Sequence, residues 1–350
     1  NSSLLAAKVT ERSAETGEHY ISHNRSEYLQ MVRRAAGGGL LMSVTTLLKF
    51  GLAALAFSAF WGGFWAGVNY SISFVLIQLL HWTVATKQPA MTAPAMAAKL
   101  KDMQSSEDAT HTLEAFVDEV ANLVRTQVAA ILGNVLVVFP AALVLSLLWW
   151  QMFGATPLDA AHAQSTLDSL HVLGPSALFA AYTGVLLFAS SLIAGWVENW
   201  FVLRRLDSAI RYNPRFTRWL GKGRAKRWGD FWRANISGFA ANISLGMMLG
   251  LTPAIAAFFG LGLEVRHVTL SSGQLGVASA TFGLGVLALP AFWWALALLP
   301  LNGALNVIVS FYLAFRMALR AHNINGVERS RIYVAIRQRL RSKPSSFFLP

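Results

Sequence analysis

A chain of 350 residues that is 55% hydrophobic and 13% charged, with mean hydropathy +0.46, carries more apolar surface than a soluble domain of this size exposes to water. It holds no cysteine, which excludes disulfides, thiolate metal sites and cysteine nucleophiles. The net charge of +12 falls in short Arg and Lys stretches beside apolar blocks, the pattern of cytoplasmic membrane loops rather than of a soluble nucleic-acid-binding domain.

Residue 1 is Asn and the first 30 residues have no apolar core, so they do not read as a signal peptide. Residues 1–34 form a polar cytoplasmic segment that ends at Arg33 and Arg34. The apolar block 35–85 is about twice as long as one span of roughly 20 residues. With Gly62, Gly63 and Gly67 near its middle, it predicts a helical hairpin with spans near 36–59 and 63–85.

Residues 87–125 read as a cytoplasmic loop, and within it Leu113, Phe116, Val117 and Val120 recur on one face of an amphipathic surface helix at 105–124. A second hairpin follows near 127–152 and 175–203, joined by a segment with Asp159 and Asp168 and no Lys or Arg, hence periplasmic. The loop 204–233 carries ten Lys or Arg against Asp207 and Asp230 and is cytoplasmic. A span near 236–259 then leads to a short polar link with Glu264, Arg266 and His267, periplasmic by alternation.

The last apolar block, 273–315, exceeds one span, yet the tail from Arg316 onward holds eight basic residues against Glu328 and belongs in the cytoplasm. An odd number of crossings is therefore required, with one span near 291–315 and Gly273 to Pro290 as a re-entrant or periplasmic-side helix. The prediction is an all-α transmembrane bundle, domain 35–320, of six spans in three hairpins with a basic tail, 321–350. Its place is a bacterial-type inner membrane with both termini cytoplasmic. Each hairpin begins after an arginine (Arg34, Arg125, Arg233) and soon meets a Gly or Asn, a pattern compatible with an internal repeat or with ordinary helix flanks.

Polar groups inside the apolar blocks are the candidate site: Lys49, Asn69, Gln78, His81, Glu198 and Asn302. A buried charge such as Lys49 costs at least about 2.5 kcal/mol at mid-bilayer and needs a partner, a cavity or a route to the interface. Glu198 has Arg204 and Arg205 nearby for a local ion pair, and amides including Asn134, Asn242 and Asn306 bond between helices or line a polar cavity. Breaks at Pro140, Pro253, Pro290 and Pro300 suit either kinks or discontinuous helices around a substrate. Arg204, Arg205, Arg227, Arg337 and Arg339 are placed for anionic lipid headgroups or another phosphate. No His, Asp or Glu spacing points to a metal and no Gly-rich loop to a nucleotide, so no cofactor is expected.

The runs GVNYSISFVLIQLLHWTVATKQPAMTAP from Gly67, AGWVENWFVLRRLDSAIRYNP from Ala194 and GLTPAIAAFFGLGLEVRHVTLSSGQLGVA from Gly250 resemble the proteobacterial membrane family called site-specific recombinase, of the gonococcal type. The resemblance covers nearly the whole chain and implies a further soluble region before residue 1. Its name implies DNA strand exchange. None of the eight histidines has Arg three positions on, as a tyrosine recombinase requires, and Tyr212 and Tyr333 have only the arginines of any basic loop. No catalytic constellation is visible. The expected function is binding or transport of a lipid-like or small solute, or scaffolding of membrane components. DNA strand exchange, or a structural subunit whose 105–124 helix docks a protein partner, are the alternatives.

Overall fold

The computed structural model describes residues 21–87, positions 90, 92, 93, 95–97 and 99, and residues 109–321 and 326–349. Among these the architecture is all-α. The long helices are α1 (Arg25–Ala54), α2 (Ala59–Leu79), α3 (Ala109–Phe153), α5 (Ser176–Leu203), α8 (Lys222–Phe258) and α10 (Pro290–Ala321). Shorter ones are α4 (Ala160–Ser169), α6 (Leu206–Tyr212), α7 (Pro214–Leu220), α9 (Val268–Phe282) and α11 (Gly326–Ser342).

Among the described residues seven helices are long and apolar enough to cross a membrane, one of them being Val268–Ala288, α9 with the 3-10 turn Gly283–Ala288. That one differs from the rest. The 15 residues of α9 reach only about 22 Å at 1.5 Å per residue, short of a hydrocarbon core about 30 Å thick. Two thirds of Val268–Ala288 is buried inside the bundle, where the other six leave 56% or more of their apolar windows facing outward. It is the re-entrant element expected between the fifth and sixth spans, starting at Val268 rather than Gly273.

The residues before α9 take the inward path. Phe259 and Gly260, whose φ is +67°, end α8, and the non-helical run to His267 turns back into the bundle. Arg266 and His267 are 7% and 1% exposed, so the expected surface link stays exposed at Leu261, Gly262 and Glu264 and becomes interior at its last two residues. Backbone that is not helical is tolerated in such a place where protein covers it or water reaches it. α9 then climbs back to the end it came from, where Thr281 donates to the Leu158 carbonyl at 3.1 Å. There α4, capped by Asp159 accepting from the His162 N–H at 2.8 Å, covers it with Ala163, Leu167 and Leu170.

A second re-entrant segment enters from the opposite, basic end. His81 at φ +55° closes α2, and the chain runs inward beside α1, with Thr83 N–H donating to the Arg34 carbonyl at 3.0 Å. Val84, Ala85 and Thr86 are buried, and the described positions from 90 to 99 are helical. Ala90 and Ala93 pack on Phe311, Ala314 and Phe315, and Met96 and Ala97 pack near Ala318 and Leu319, so this helix returns to the end it left. The start of the expected cytoplasmic loop 87–125 is thus folded into the bundle.

The two segments are related. In each, a span's asparagine clamps the inward limb: Asn134 of α3 donates to the Thr83 carbonyl at 3.0 Å and accepts from Ala85 N–H at 2.8 Å. Asn306 of α10 donates to the Arg266 carbonyl at 3.0 Å and accepts from Val268 N–H at 3.1 Å. The same amides also donate to the first span of their half, at Ala35 in α1 and Ala180 in α5. An offset of 183 residues takes Ala85 to Val268, Gly67 to Gly250, Ile72 to Ile255 and Thr86 to Thr269. The repeat is therefore two halves of opposite orientation, each span, span, re-entrant segment, span, rather than three hairpins.

The halves meet where α2 crosses α8. A Cβ on Gly250 would overlap the backbone of Gly63 and Gly67, and one on Gly246 the backbone of Ser71, so only glycine permits this approach. At the basic end α3 runs unbroken through the expected amphipathic helix. Phe116 and Leu123 are covered by the chain's own Met96, Ala318 and Ile332, the last from α11; positions 105–108 lie outside the described residues.

Candidate functional site at the re-entrant tips

Two cavities approach the tips from opposite ends. The larger, 640 Å³, extends from the α1–α2 turn at Phe57 and Ser58 past Lys49, Glu264 and Arg266 to Tyr70, His267 and Ser271. The smaller, 410 Å³, extends from Arg34, His81 and Asn235 at the basic end to Lys87, Val84 and Phe74. Tyr70 and His267 line the larger and Phe74 the smaller; these and Thr86, which lines neither, are buried, none more than 4% exposed. Thr86 Oγ1 lies 3.4 Å from His267 Nε2, and the Phe74 and His267 rings are 6.3 Å apart.

Thr86 holds φ +69°, a left-handed conformation that a β-branched residue adopts only under strain. The fold supplies the restraint through the Asn134 clamp at the next residue back. His267 is the N-cap position of α9 but its side chain caps nothing; the first free N–H, at Val268, is taken by Asn306 instead. That leaves His267 Nδ1 buried without a partner among the described residues.

In the larger cavity Arg266 Nη2 contacts Glu264 Oε2 at 2.5 Å and donates to the Ser169 carbonyl at 3.0 Å, with its guanidinium 5.9 Å from the Phe179 ring. Its Nε is buried and has no hydrogen-bond partner among the described residues. Lys49 Nζ sits 5.2 Å over the Phe50 ring and forms no ion pair with a described carboxylate. In the smaller cavity Lys87 Nζ donates to Asn242 Oδ1, Asn242 Nδ2 donates to Gln78 Oε1 at 2.5 Å, and Gln78 Nε2 donates to Asn235 Oδ1 at 3.1 Å.

Of the residues expected from sequence, the structure brings Lys49 to one cavity and Gln78 and His81 to the other. The other three are elsewhere. Asn69 donates to the Thr45 carbonyl at 2.9 Å and ties α1 to α2. Asn302 donates to Ser271 Oγ at 3.1 Å and ties α10 to α9. Glu198 lies 3.5 Å from Arg233. Lys87, Arg266, His267 and Thr86 escaped the hydropathy reading because they lie in short polar runs that look like surface links. The signal that marks them is their position inside the ATKQPAMTA and LEVRHVTLSSG motifs, the two tips.

Of the basic surface residues, Arg204, Arg205, Arg227 and Arg337 are exposed, while Arg339 pairs with Asp118 at 2.6 Å. Tyr212 and Tyr333 are exposed at this same end. Among the described residues no group of His, Asp and Glu is arranged to hold a metal ion.

The profile of the family described as site-specific recombinase matches residues 1–350. The chain belongs to that family. Neither the curated proteins nor the solved structures offer a match.

Proposed function

We propose that this chain is a bacterial inner-membrane conduit that binds and passes a small solute between two vestibules meeting at Thr86 and His267. The observation that carries this reading is the pair of oppositely oriented re-entrant segments, each held by an asparagine, with a polar cavity approaching the tips from either end. Half-helices that start at mid-bundle aim their N-terminal N–H groups at a passing solute, and inverted repeats place such a site between the two halves. The basic end, with Arg34, Arg204, Arg205 and Arg227, lies on the cytoplasmic side against anionic lipid headgroups, and the Asp159 end is periplasmic.

The absence of cysteine makes the test direct. Ser271→Cys, deep in the larger cavity, is expected to react with a membrane-impermeant thiol reagent from the periplasmic face only. Ser237→Cys, in the smaller one, reacts from the cytoplasmic face only. Proteoliposomes containing the protein should then swell in small polar solutes faster than empty ones. Labelling of Ser271→Cys from neither face, or swelling no faster than in empty vesicles, overturns the reading. DNA strand exchange, which the family name carries, would instead be read as conversion of a two-site plasmid by the purified protein.

A further inference from the structure

We infer that the larger vestibule is a binding site for a small oxyanion, held by Lys49, Arg266 and His267 at the N-terminus of α9. The inference rests on the conduit reading for its geometry and goes beyond it by naming the chemistry of the solute. Three observations carry it.

The first is charge balance. Lys49 and Arg266 line this cavity with one acid, Glu264, whose carboxylate is committed to Arg266 and half exposed. One carboxylate cannot neutralise two cations, and an uncompensated positive charge among apolar helices is unfavourable enough that an anion is the natural complement.

The second is the orphaned polar atoms. Arg266 Nε and His267 Nδ1 are buried, unpartnered among the described residues, and belong to side chains that line the cavity at 7% and 1% residue exposure. Buried polar groups are normally hydrogen-bonded, so two unmet groups on side chains that line the cavity are available to an acceptor bound there once the side chains turn to it. An oxyanion offers the several acceptor oxygens that a guanidinium Nε–H, an imidazole N–H and an ammonium require together.

The third is the helix. α9 has 15 residues and begins at the cavity floor, and the partial positive charge of its first turn adds to the two cations. At the other end, Lys87 and Arg34 line the smaller vestibule, and its described lining includes no Asp or Glu. A cation would meet an excess of like charge on both sides; an anion meets Lys49 and Arg266 against the single described acid Glu264 on one side and Lys87 and Arg34 on the other.

The test measures binding apart from flux. The full chain is held in a neutral maltoside micelle and its thermal midpoint is titrated with inorganic phosphate at constant ionic strength balanced by chloride. A saturable rise is expected, with half-saturation at least tenfold weaker in Lys49→Gln and unchanged in Arg204→Gln, whose side chain is on the far surface. Arg266→Gln is expected to lose the response as well. Because Arg266 also ties down the Ser169 carbonyl and that variant can fail to fold, Lys49→Gln decides the matter.

No saturable rise in the unmodified chain, or equal half-saturation in Lys49→Gln, overturns the site. Adding phosphatidylglycerol to the micelle distinguishes the source. If it weakens the phosphate response and phosphatidylcholine does not, the oxyanion is a lipid headgroup; if neither does, it is a free anion. Absent phosphate binding with two-sided thiol labelling intact, the conduit stands and the anion falls. Binding with the labelling pattern lost leaves the anion site and removes the conduit.

Discussion

Asn134 and Asn306 are separated by about half of the chain, yet each makes the same three kinds of bond. Both accept a tip N–H, donate to the carbonyl two residues earlier, and donate to the first span of their own half. Neither side chain reaches solvent, both being 0% exposed. Non-helical backbone cannot bond to itself, so these amides replace the lost ladder bonds of the inward limbs.

Removing either clamp should therefore cost more than removing an ordinary interhelical amide. Asn306→Leu and Asn134→Leu each strand several buried backbone groups at about 1 kcal/mol apiece, giving a loss of roughly 3 kcal/mol. Asn69→Leu breaks a single bond, to Thr45, and should cost about 1 kcal/mol or less. Unfolding in mixed micelles, followed by circular dichroism, compares the three. Equal losses would mean that the tips are held by packing and not by the amides.

The glycine crossing of α2 and α8 gives a second comparison. Gly250→Ala forces its methyl into the Gly63 and Gly67 backbone and should destabilise by about 1–3 kcal/mol, or separate the helices. Gly223→Ala, in the first turns of α8 with open space around its Cα, should instead gain up to about 1 kcal/mol from helix propensity. The ranking of the two thermal midpoints is the measurement, and a stabilised Gly250→Ala would contradict the close approach.

How much of this could be read in the chain follows from what hydropathy measures. The six spans are legible because each supplies a long apolar window, and the re-entrant element near Gly273 is legible because charge sidedness demanded an odd number of crossings after Glu264 and Arg266. The inward limbs are not. Thr83 to Lys87 and Glu264 to His267 are short and polar, and a window of about 20 residues averages them into loops. Their burial depends on Asn134 and Asn306, whose amides read from sequence only as interhelical bonds of unknown partner. The offset of 183 residues between Gly67 and Gly250 was present in the two family motifs, but few identities mark it, and the clamps Asn134 and Asn306 do not share it, standing 172 residues apart.

Glu198 tests the opposite expectation, that a charge in an apolar helix need not belong to the pathway. Its carboxylate, 14% exposed, lies 3.5 Å from Arg233, whose side chain is 36% exposed, near the basic end of α5 and α8, so the pair reaches water through the guanidinium. At this separation it contributes on the order of 1 kcal/mol. Glu198→Gln should shift the thermal midpoint slightly and leave solute swelling rates and phosphate half-saturation unchanged. A loss of swelling with stability intact would bring α5 into the pathway and require a third polar region besides the two vestibules.

The contact between the tips offers the sharpest outcome. Thr86 stores strain at φ +69°, and its hydroxyl lies 3.4 Å from His267 Nε2. In Thr86→Gly the strain, about 1–3 kcal/mol, is relieved while one hydrogen bond of about 1 kcal/mol and a small buried side chain are lost. The two effects nearly cancel, so the variant should fold with a midpoint close to that of the unmodified chain. The contact, however, loses both the Thr86 hydroxyl and its methyl and should pass solute faster. His267→Ala opens the same contact from the other tip and should raise the swelling rate further, at a stability cost because it leaves a cavity beside Phe74. Faster swelling in both variants, with Glu198→Gln as the unchanged control, places the barrier at this contact. Unchanged rates in both would mean that the two vestibules are separated somewhere other than at Thr86 and His267.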